Sequence, residues 1–367
     1  MEQKRLGDLA TYINGYAFKP EDRGKEGLPI IRIQDLTGNT YDLGFYNGDY
    51  PEKIEINDGD ILISWSASLG VYIWNRGKAL LNQHIFKVVF DKEEVNKQYF
   101  VFAVKYNLKE MGTKAHGATM KHIVKKDFDN TLVPFPTIEK QDVIAEILSK
   151  AAYIVDARKQ ELQKLDDLVR ARFVEFFGDP VANDKGWDTE ICRNLMSKIG
   201  SGATPKGGKE SYCDEGISLI RSMNVYNNRF EYKDLAHITD EQAEQLNNVT
   251  IEKKDILLNI TGASVARCCI VPDDLLPARV NQHVSILRCK ERVLPDFVCN
   301  MFTEHNYQGL LWNVATAGGA TREAITKQQI EELILIIPPI DLQKQFVAFV
   351  AQTNKSKFTK TFRPLRC

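Results

Sequence analysis

Residues 138–177 read IEKQDVIAEILSKAAYIVDARKQELQKLDDLVRARFVEFF, a run of forty residues without glycine or proline. Apolar side chains recur at every seventh position of this run, at Leu148, Val155, Leu162, Val169 and Phe176. Ala151 and Leu165 lie at the second core position of the same heptads. The pattern predicts one helix, roughly 60 Å long at 1.5 Å per residue, that needs a partner helix along much of its length. Gly178-Asp179-Pro180 should end it, because proline cannot continue a helix and glycine suits a C-cap.

Short motifs that precede this run recur after it in the same order. The pairs are Ile31-Arg32 with Ile220-Arg221, Asp60-Ile61-Leu62 with Asp255-Ile256-Leu257, Asn82-Gln83-His84 with Asn281-Gln282-His283, Ala118-Thr119 with Ala320-Thr321, and Pro136-Thr137-Ile138 with Pro338-Pro339-Ile340. The same order, repeated at offsets of 189 to 202 residues, predicts an internal duplication. We therefore divide the chain into a first domain at 1–137, a spacer helix at 138–177, a second domain at 178–338 and a second helix at 339–367.

The second helix is expected to be shorter than the first. Its apolar pattern begins at Ile340 but passes into Thr353-Asn354-Lys355 and a basic ending at Arg366-Cys367. We interpret residues 339–367 as a truncated spacer helix followed by a basic tail.

Each domain alternates short β-rich runs with turn residues and contains one helical stretch. In the first domain these runs include 28–33, 60–64, 71–74 and 85–90, and the helix is expected near 98–110. The second domain repeats this order, with its helix near 295–311. The predicted fold class is α+β, with two similar strand-rich domains separated by a long coiled-coil-forming helix.

Composition limits the class of protein. The chain is 43% hydrophobic and 26% charged, and it contains no apolar run of the roughly 20 residues that would cross a membrane. Its seven cysteines form no CxxC pair, so we expect a reducing, cytoplasmic environment and no zinc site. The net charge of −1 is unlike that of proteins that coat nucleic acid non-specifically, so any DNA contact must use local patches.

The repeated triplets are the first candidate site. Asn82, Gln83 and His84, like Asn281, Gln282 and His283, directly precede a predicted strand. Asparagine and glutamine amides can pair with adenine, and histidine can donate to phosphate or guanine. The alternative is a buried polar turn or a phosphate-positioning role, and identity between the two copies favours this alternative, since domains that read different bases should differ where they touch them.

Two further groups of residues are candidates for DNA contact. The first is a basic, glycine-containing segment in each domain, with the candidate residues Lys114, His116, Thr119 and Lys121 in one and Thr321, Arg322 and Lys327 in the other. Small residues let backbone N–H groups approach a phosphate that a cation neutralises, although a solvated loop is the alternative. The second group follows the Asp-Ile-Leu strand: Ser64, Trp65 and Ser66 in one domain, and Asn259 and Thr261 in the other. These residues differ between copies, as base reading requires, although Trp65 could equally be a core residue at a strand end.

Motifs for chemistry are missing from the sequence. There is no Asn-Pro-Pro-Tyr-like tetrapeptide, no glycine-rich cofactor fingerprint, no Walker motif and no metal-ligand cluster. We therefore expect a protein that recognises DNA without a cofactor of its own.

Together, the duplicated domains, the forty-residue helix that ends Phe177-Gly178-Asp179-Pro180, the paired Asn-Gln-His triplets and the Pro-x-Ile helix starts resemble the specificity (S) subunit of type I restriction–modification systems. The resemblance extends to about residue 352. It implies that each domain is a target recognition domain reading part of a split site in double-stranded DNA. It further implies that the helices dock two methyltransferase (M) subunits, which carry the methyl donor, and that restriction (R) subunits join with ATP and Mg²⁺. The assembled complex would then methylate adenine and cleave DNA.

Other interpretations remain open at this stage. The chain could be a standalone DNA methyltransferase or endonuclease with an unrecognised site, or a coiled-coil scaffold that never touches DNA. The shortened second helix also allows a silent specificity cassette that acts only as a partial or dimerising reader.

Overall fold

The long helix is present and unbroken from Ile138 to Phe177 in the computed structural model. Its end is capped as the sequence predicts, since Gly178 has a positive φ of 74° and its N–H donates to the Val174 carbonyl at 2.8 Å. The Trp187 indole N–H donates to the carbonyl of Phe177 at 2.9 Å. These bonds satisfy carbonyls that the last turn of a helix leaves without partners.

The structure describes residues 2–38, 43–114, 123–205, 207–317 and 323–361. They form two compact units, residues 1–158 and 159–367, so the division between the units falls inside the long helix. The finer division of the chain into four segments stays a prediction. No helix in the described ranges is both long enough and apolar enough to span a membrane.

The first unit contains ten described strands: β1 (Gln3–Arg5), β2 (Thr11–Asn14), β3 (Leu28–Ile31), β4 (Phe45–Tyr46), β5 (Glu55–Ile56), β6 (Ile61–Ser64), β7 (Gly70–Ile73), β8 (Ala79–Leu81), β9 (Ile85–Val89) and β10 (Leu132–Pro134). Its described α-helices are α1 (Leu6–Leu9), α2 (Ile33–Thr37), α3 (Lys97–Lys114), α4 (Lys125–Asp129) and the start of α5 (Ile138–Phe177).

The second unit contains eleven described strands: β11 (Asp188–Ile191), β12 (Met196–Ser201), β13 (Ile217–Ile220), β14 (Val225–Tyr226), β15 (Arg229–Phe230), β16 (Ala236–Ile238), β17 (Ile256–Asn259), β18 (Cys268–Ile270), β19 (Ala278–Val280), β20 (Val284–Cys289) and β21 (Ile334–Ile337). Its described α-helices, after the end of α5, are α6 (Cys192–Leu195), α7 (Asp240–Gln245), α8 (Pro295–Phe302), α9 (His305–Thr316), α10 (Lys327–Glu331) and α11 (Ile340–Thr361).

The two units share one topology. An antiparallel sheet has the order β2-β9-β6-β7 in the first unit and β12-β20-β17-β18 in the second. A smaller mixed sheet contains a parallel pair, β3 with β8 and β13 with β19, and the terminal strands pair as β1 with β10 and β11 with β21. The α+β class and the duplicated, strand-rich architecture are therefore confirmed.

The C-terminal helix α11 has 22 residues, against 40 for α5. It packs against the last turns of α5, where Phe346 lies between Phe173 and Phe177 with ring centroids 5.5 and 5.4 Å away. Among the heptad positions predicted to pack, Val169 is buried, and Leu162, Leu165 and Phe176 are half-buried. Leu148 and Val155 are 38% and 52% exposed. The heptad pattern missed Phe173 and Phe177, which are buried in the core of the second unit.

Candidate functional site

The two Asn-Gln-His triplets occupy the same place in both units. Each joins the last strand of the small mixed sheet to a central strand of the antiparallel sheet, from β8 to β9 and from β19 to β20. The N–H of Asn82 donates to the Ile31 carbonyl at 3.1 Å, and that of Asn281 to the Ile220 carbonyl at 3.0 Å. The triplet is therefore the link between the two sheets of each unit.

Within each triplet the three side chains differ in exposure. The asparagines are buried, and their Oδ1 atoms accept from backbone N–H groups, that of Gln83 at 2.9 Å and that of His283 at 3.0 Å. Both glutamines are exposed, and both histidines are half-buried. The asparagines thus hold the turn together, whereas the glutamines and histidines reach the surface.

A glycine lets the chain after β2 and β12 approach each triplet. A Cβ on Gly15 would lie 2.0 Å from the Asn82 carbonyl oxygen, and one on Gly202 would lie 1.7 Å from the Val280 carbonyl oxygen. Both distances are shorter than any real Cβ contact, so only glycine fits. Sequence reasoning did not select Gly15, although it directly follows a strand, where a glycine can signal a close backbone approach.

The residues that follow β6 and β17 lie beside the triplets through backbone hydrogen bonds. The N–H of Trp65 donates to the His84 carbonyl at 3.2 Å, and that of Ile260 donates to the His283 carbonyl at 3.0 Å. Trp65 is half-buried and stacks on Phe86, with ring centroids 5.6 Å apart. This position fits both a core role and a DNA-contact role, since the ring stacks on a core residue while part of the side chain remains exposed.

Ser64, Ser66 and Asn259 are less accessible than base reading requires. Ser64 and Asn259 have no exposed surface, and Ser66 is 5% exposed. The Asn259 amide donates to the Ser222 carbonyl at 2.9 Å, and the Ser64 hydroxyl donates to the Ser68 carbonyl. In this arrangement Ser64 and Asn259 hold the neighbouring loops in place and cannot touch a base unless those loops move.

The identical triplets have different polar surroundings. In the second unit, His283 Nδ1 lies 2.6 Å from Thr261 Oγ1, and the Gln282 amide is bonded to both Thr204 and His283. In the first unit, Nδ1 of His84 is buried without a hydrogen-bond partner among the described residues, and its ring meets the edge of Trp65 at 4.9 Å. The same triplet therefore has different neighbouring side chains in the two units.

The basic segments cannot be placed in full. His116, Thr119, Lys121, Thr321 and Arg322 lie outside the described residues, and Lys114 is described only as the last backbone position of α3. Lys327 lies in α10, where its exposed ammonium is 3.5 Å from Glu331. Their roles in DNA contact stay predictions.

One described residue in or next to each basic segment is nevertheless attached to the site. The N–H of Ile123 donates to the Trp65 carbonyl at 2.9 Å, and that of Ile325 donates to the Ile260 carbonyl at 2.8 Å. In both units a residue in or next to the basic segment is therefore hydrogen-bonded to a residue that borders the triplet. Within the described ranges, no three His, Cys, Asp or Glu side chains form a group that could hold a metal ion.

Known proteins share both the sequence and the fold. Residues 1–166 and 193–361 match the family described as "Type I restriction modification DNA specificity domain". The specificity subunit of the type I restriction enzyme EcoBI from Escherichia coli is 25% identical, over 95% of this chain and 78% of that protein. The putative type I restriction enzyme MjaX specificity subunit of Methanocaldococcus jannaschii is 26% identical, over 94% and 84%. The crystal structure of a type I restriction–modification S subunit from M. genitalium has the same fold, with a TM-score of 0.56, 14% identity and coverage of 98% of this chain and 90% of that one. Since the family match covers both repeats and most of the chain, the protein belongs to the type I restriction–modification DNA specificity family.

Proposed function

We propose that this protein is the DNA sequence-recognition subunit of a type I restriction–modification complex, in which each repeat reads one half of a split target. One observation carries the proposal: the same sheet topology and the same triplet occur twice, but the side chains around the triplet differ. Trp65 and Ser66 in one repeat correspond to Ile260 and Thr261 in the other. A shared framework with different residues beside the triplet is suited to recognising two unequal half-sites.

The long helix is proposed to set the gap between the half-sites and to dock the methyltransferase subunits. In the part of α5 that belongs to the first unit, Ile147, Ile154 and Val155 are 60%, 49% and 52% exposed. Apolar side chains at helical spacing are typical of a surface that another helix covers. We expect two M subunits, with R subunits joining in the full complex.

Catalysis is proposed to reside in those partners. The complex would methylate adenine and cleave DNA in the cytoplasm, and the methyl donor, ATP and Mg²⁺ would be bound by the M and R subunits. The purified chain alone is accordingly expected to neither methylate nor cleave DNA.

The test is to co-express the chain with its M subunits and to map the modified adenines across a genome. We expect a target of two short specified sequences separated by a gap of unspecified bases. A continuous target, or methylation by the chain alone, would contradict the proposal.

A further inference from the structure

The second unit contains a hairpin that the described part of the first unit lacks. Strands β14 and β15 form it after β13 and a 3-10 turn at Ser222–Asn224, whereas α2 follows β3 in the first unit. Tyr226 of β14 pairs with Arg229 of β15. The guanidinium carbons of Arg229 and Arg267 each lie 4.7 Å from the centre of the Tyr226 ring. Two cations therefore share one tyrosine, and each guanidinium group lies in cation–π contact with its ring.

The turn of the hairpin, Asn227-Asn228, is hydrogen-bonded to the rest of the second unit. The Asn227 amide donates to Gln308 Oε1 at 3.0 Å, and the Asn228 amide donates to Thr303 Oγ1 at 2.8 Å. The N–H of Asn228, whose φ is +54°, also donates to the Cys268 carbonyl at 2.8 Å. These bonds anchor the hairpin to β18, to α9 and to Thr303, the residue after α8. The arginines are therefore positioned before any partner arrives, which lowers the entropic cost of binding.

The charge of this cluster, which we define as Tyr226, Arg229 and Arg267, is poorly compensated. Arg229 is 62% exposed, and among the described residues its carboxylate partner is that of half-buried Glu231, 3.5 Å away. Arg267 makes no ion pair within 4 Å among the described residues. A polyanion that approached the cluster would relieve the repulsion between the two cations and gain charge-assisted hydrogen bonds.

A groove of about 750 Å³ opens beside Arg267 and Asn227. The carboxylate that lines it, Asp179, already accepts from the Asn306 amide at 2.7 Å and from the N–H of Val181 at 2.8 Å. These hydrogen bonds engage the Asp179 carboxylate with neutral donors. Among the side chains that line the groove, Arg267 is the cation and Asp179 the carboxylate, so an anion that entered the groove would pair with Arg267.

The cluster adjoins the candidate site of the second unit. The Asn259 N–H donates to the Arg267 carbonyl at 2.8 Å, and the Ala266 N–H donates to the Asn259 carbonyl at 2.9 Å. Two residues after Asn259 lies Thr261, which contacts His283. DNA bound at the triplet of this unit would therefore pass close to the cluster.

We propose that Arg229 and Arg267, held on Tyr226, bind backbone phosphates of the duplex beside the half-site that the second repeat reads. Guanidinium groups suit this role because they pair bidentately with phosphate and retain their charge at all physiological pH values. The proposal rests on the proposed function, since it assigns a further contact with the same DNA.

The test uses the chain assembled with its M subunits and a duplex that carries the mapped target. Arg229→Ala and Arg267→Ala are each expected to weaken binding about tenfold at moderate salt, and each should lower the slope of log affinity against log salt by about one. Arg292→Ala is the matched control, because Arg292 is also an exposed arginine of this unit, with 60% exposure and a distant carboxylate partner. The control should leave both quantities unchanged.

Each other outcome has a distinct meaning. Variants that bind like the control would overturn the inference while leaving the proposed function intact. Loss of preference at a single base pair, rather than a uniform loss, would assign the arginines to base reading and overturn the phosphate assignment. Loss of M-subunit assembly with unchanged DNA affinity would make the cluster a protein-docking surface. If the unaltered complex shows no preference for the mapped target, the proposed function itself fails.

Discussion

At the scale of single residues, the sequence selected segments that the structure brings together, but it did not show which side chains are exposed there. All four residues of β6 and of β17 are buried, because both faces of each strand are covered. Ser64 and Asn259 end these strands and are buried with them, which the polar character of the two residues did not indicate. The exposure of Gln83 and Gln282 follows from their place in the turn between the sheets, a tertiary feature that one sequence cannot supply.

The two glycines beside the triplets provide a test of half-site independence. In Gly202→Ala, the added methyl group would collide with the Val280 carbonyl and displace the chain after β12. We expect weaker discrimination, by about tenfold, at the half-site of the second repeat only, since a lost base contact changes discrimination by one to three kcal/mol. Gly15→Ala should do the same at the other half-site.

The measurement is binding of the assembled complex to duplexes in which one half-site at a time is scrambled. Gly200→Ala is the control, because Gly200 lies in β12 two residues before Gly202, with nothing within 4 Å of its added Cβ. Equal effects of Gly202→Ala on both half-sites would show that the repeats do not read independently.

The cysteines give a second residue-level prediction, based on pKa. Burial raises the pKa of the Cys192 thiol to about 12, and burial also raises the pKa of Cys269 and of Cys289. A raised pKa leaves little reactive thiolate at pH 8. Among the described cysteines, we therefore expect iodoacetamide to modify Cys213, which is half-buried, and to leave the others unmodified. Peptide mass spectrometry measures the modification of each cysteine. Rapid labelling of Cys192 in the folded protein would mean that the core is more open than described here.

At the scale of elements, the sequence predicted the longer helices and, in the first domain, strands β3, β6, β7 and β9 with their counterparts in the second, but not the shorter elements between them. The helical stretch expected near 295–311 is two helices, α8 and α9, because the Glu304 carboxylate accepts from the N–H groups of Asn306 and Tyr307 and starts a new helix. The β14–β15 hairpin was not predicted either. Its Asn227-Asn228 turn is a recognisable hairpin signal, since asparagine tolerates positive φ, but the flanking strands have only two residues each.

The packing of α11 on α5 gives the prediction for this scale. Phe346 is fully buried among Phe173, Phe177 and other aromatic rings. Phe346→Ala would leave a cavity and should destabilise the second unit by about 3–5 kcal/mol, the usual cost of removing a buried phenylalanine. Phe349→Ala, on the half-buried face of the same helix, should cost clearly less. Thermal unfolding midpoints measure both, and equal shifts would show that Phe346 is not the central packing residue.

At the scale of the whole molecule, the duplication and the bounds of α5 followed directly from the sequence. A repeat preserves order, and a helix without glycine or proline shows clear ends, so both are visible in one chain. The partner of the apolar face at Leu148 and Val155 is not visible, because a heptad pattern specifies that a face is covered without specifying the element that covers it.

The role of α5 as a spacer gives the last prediction. Duplication of residues 152–158 adds one heptad, which preserves the phase of the apolar face and lengthens a straight helix by about 10 Å. We expect both half-site sequences to remain unchanged while the gap between them grows by about three base pairs, at about 3.4 Å each. Methylation mapping of the complex measures the gap. The same seven residues placed after Glu291, an exposed position outside the helix, should leave the gap as it was. If the heptad duplication also leaves the gap unchanged, α5 does not set the distance, and the contacts with the M subunits must do so instead.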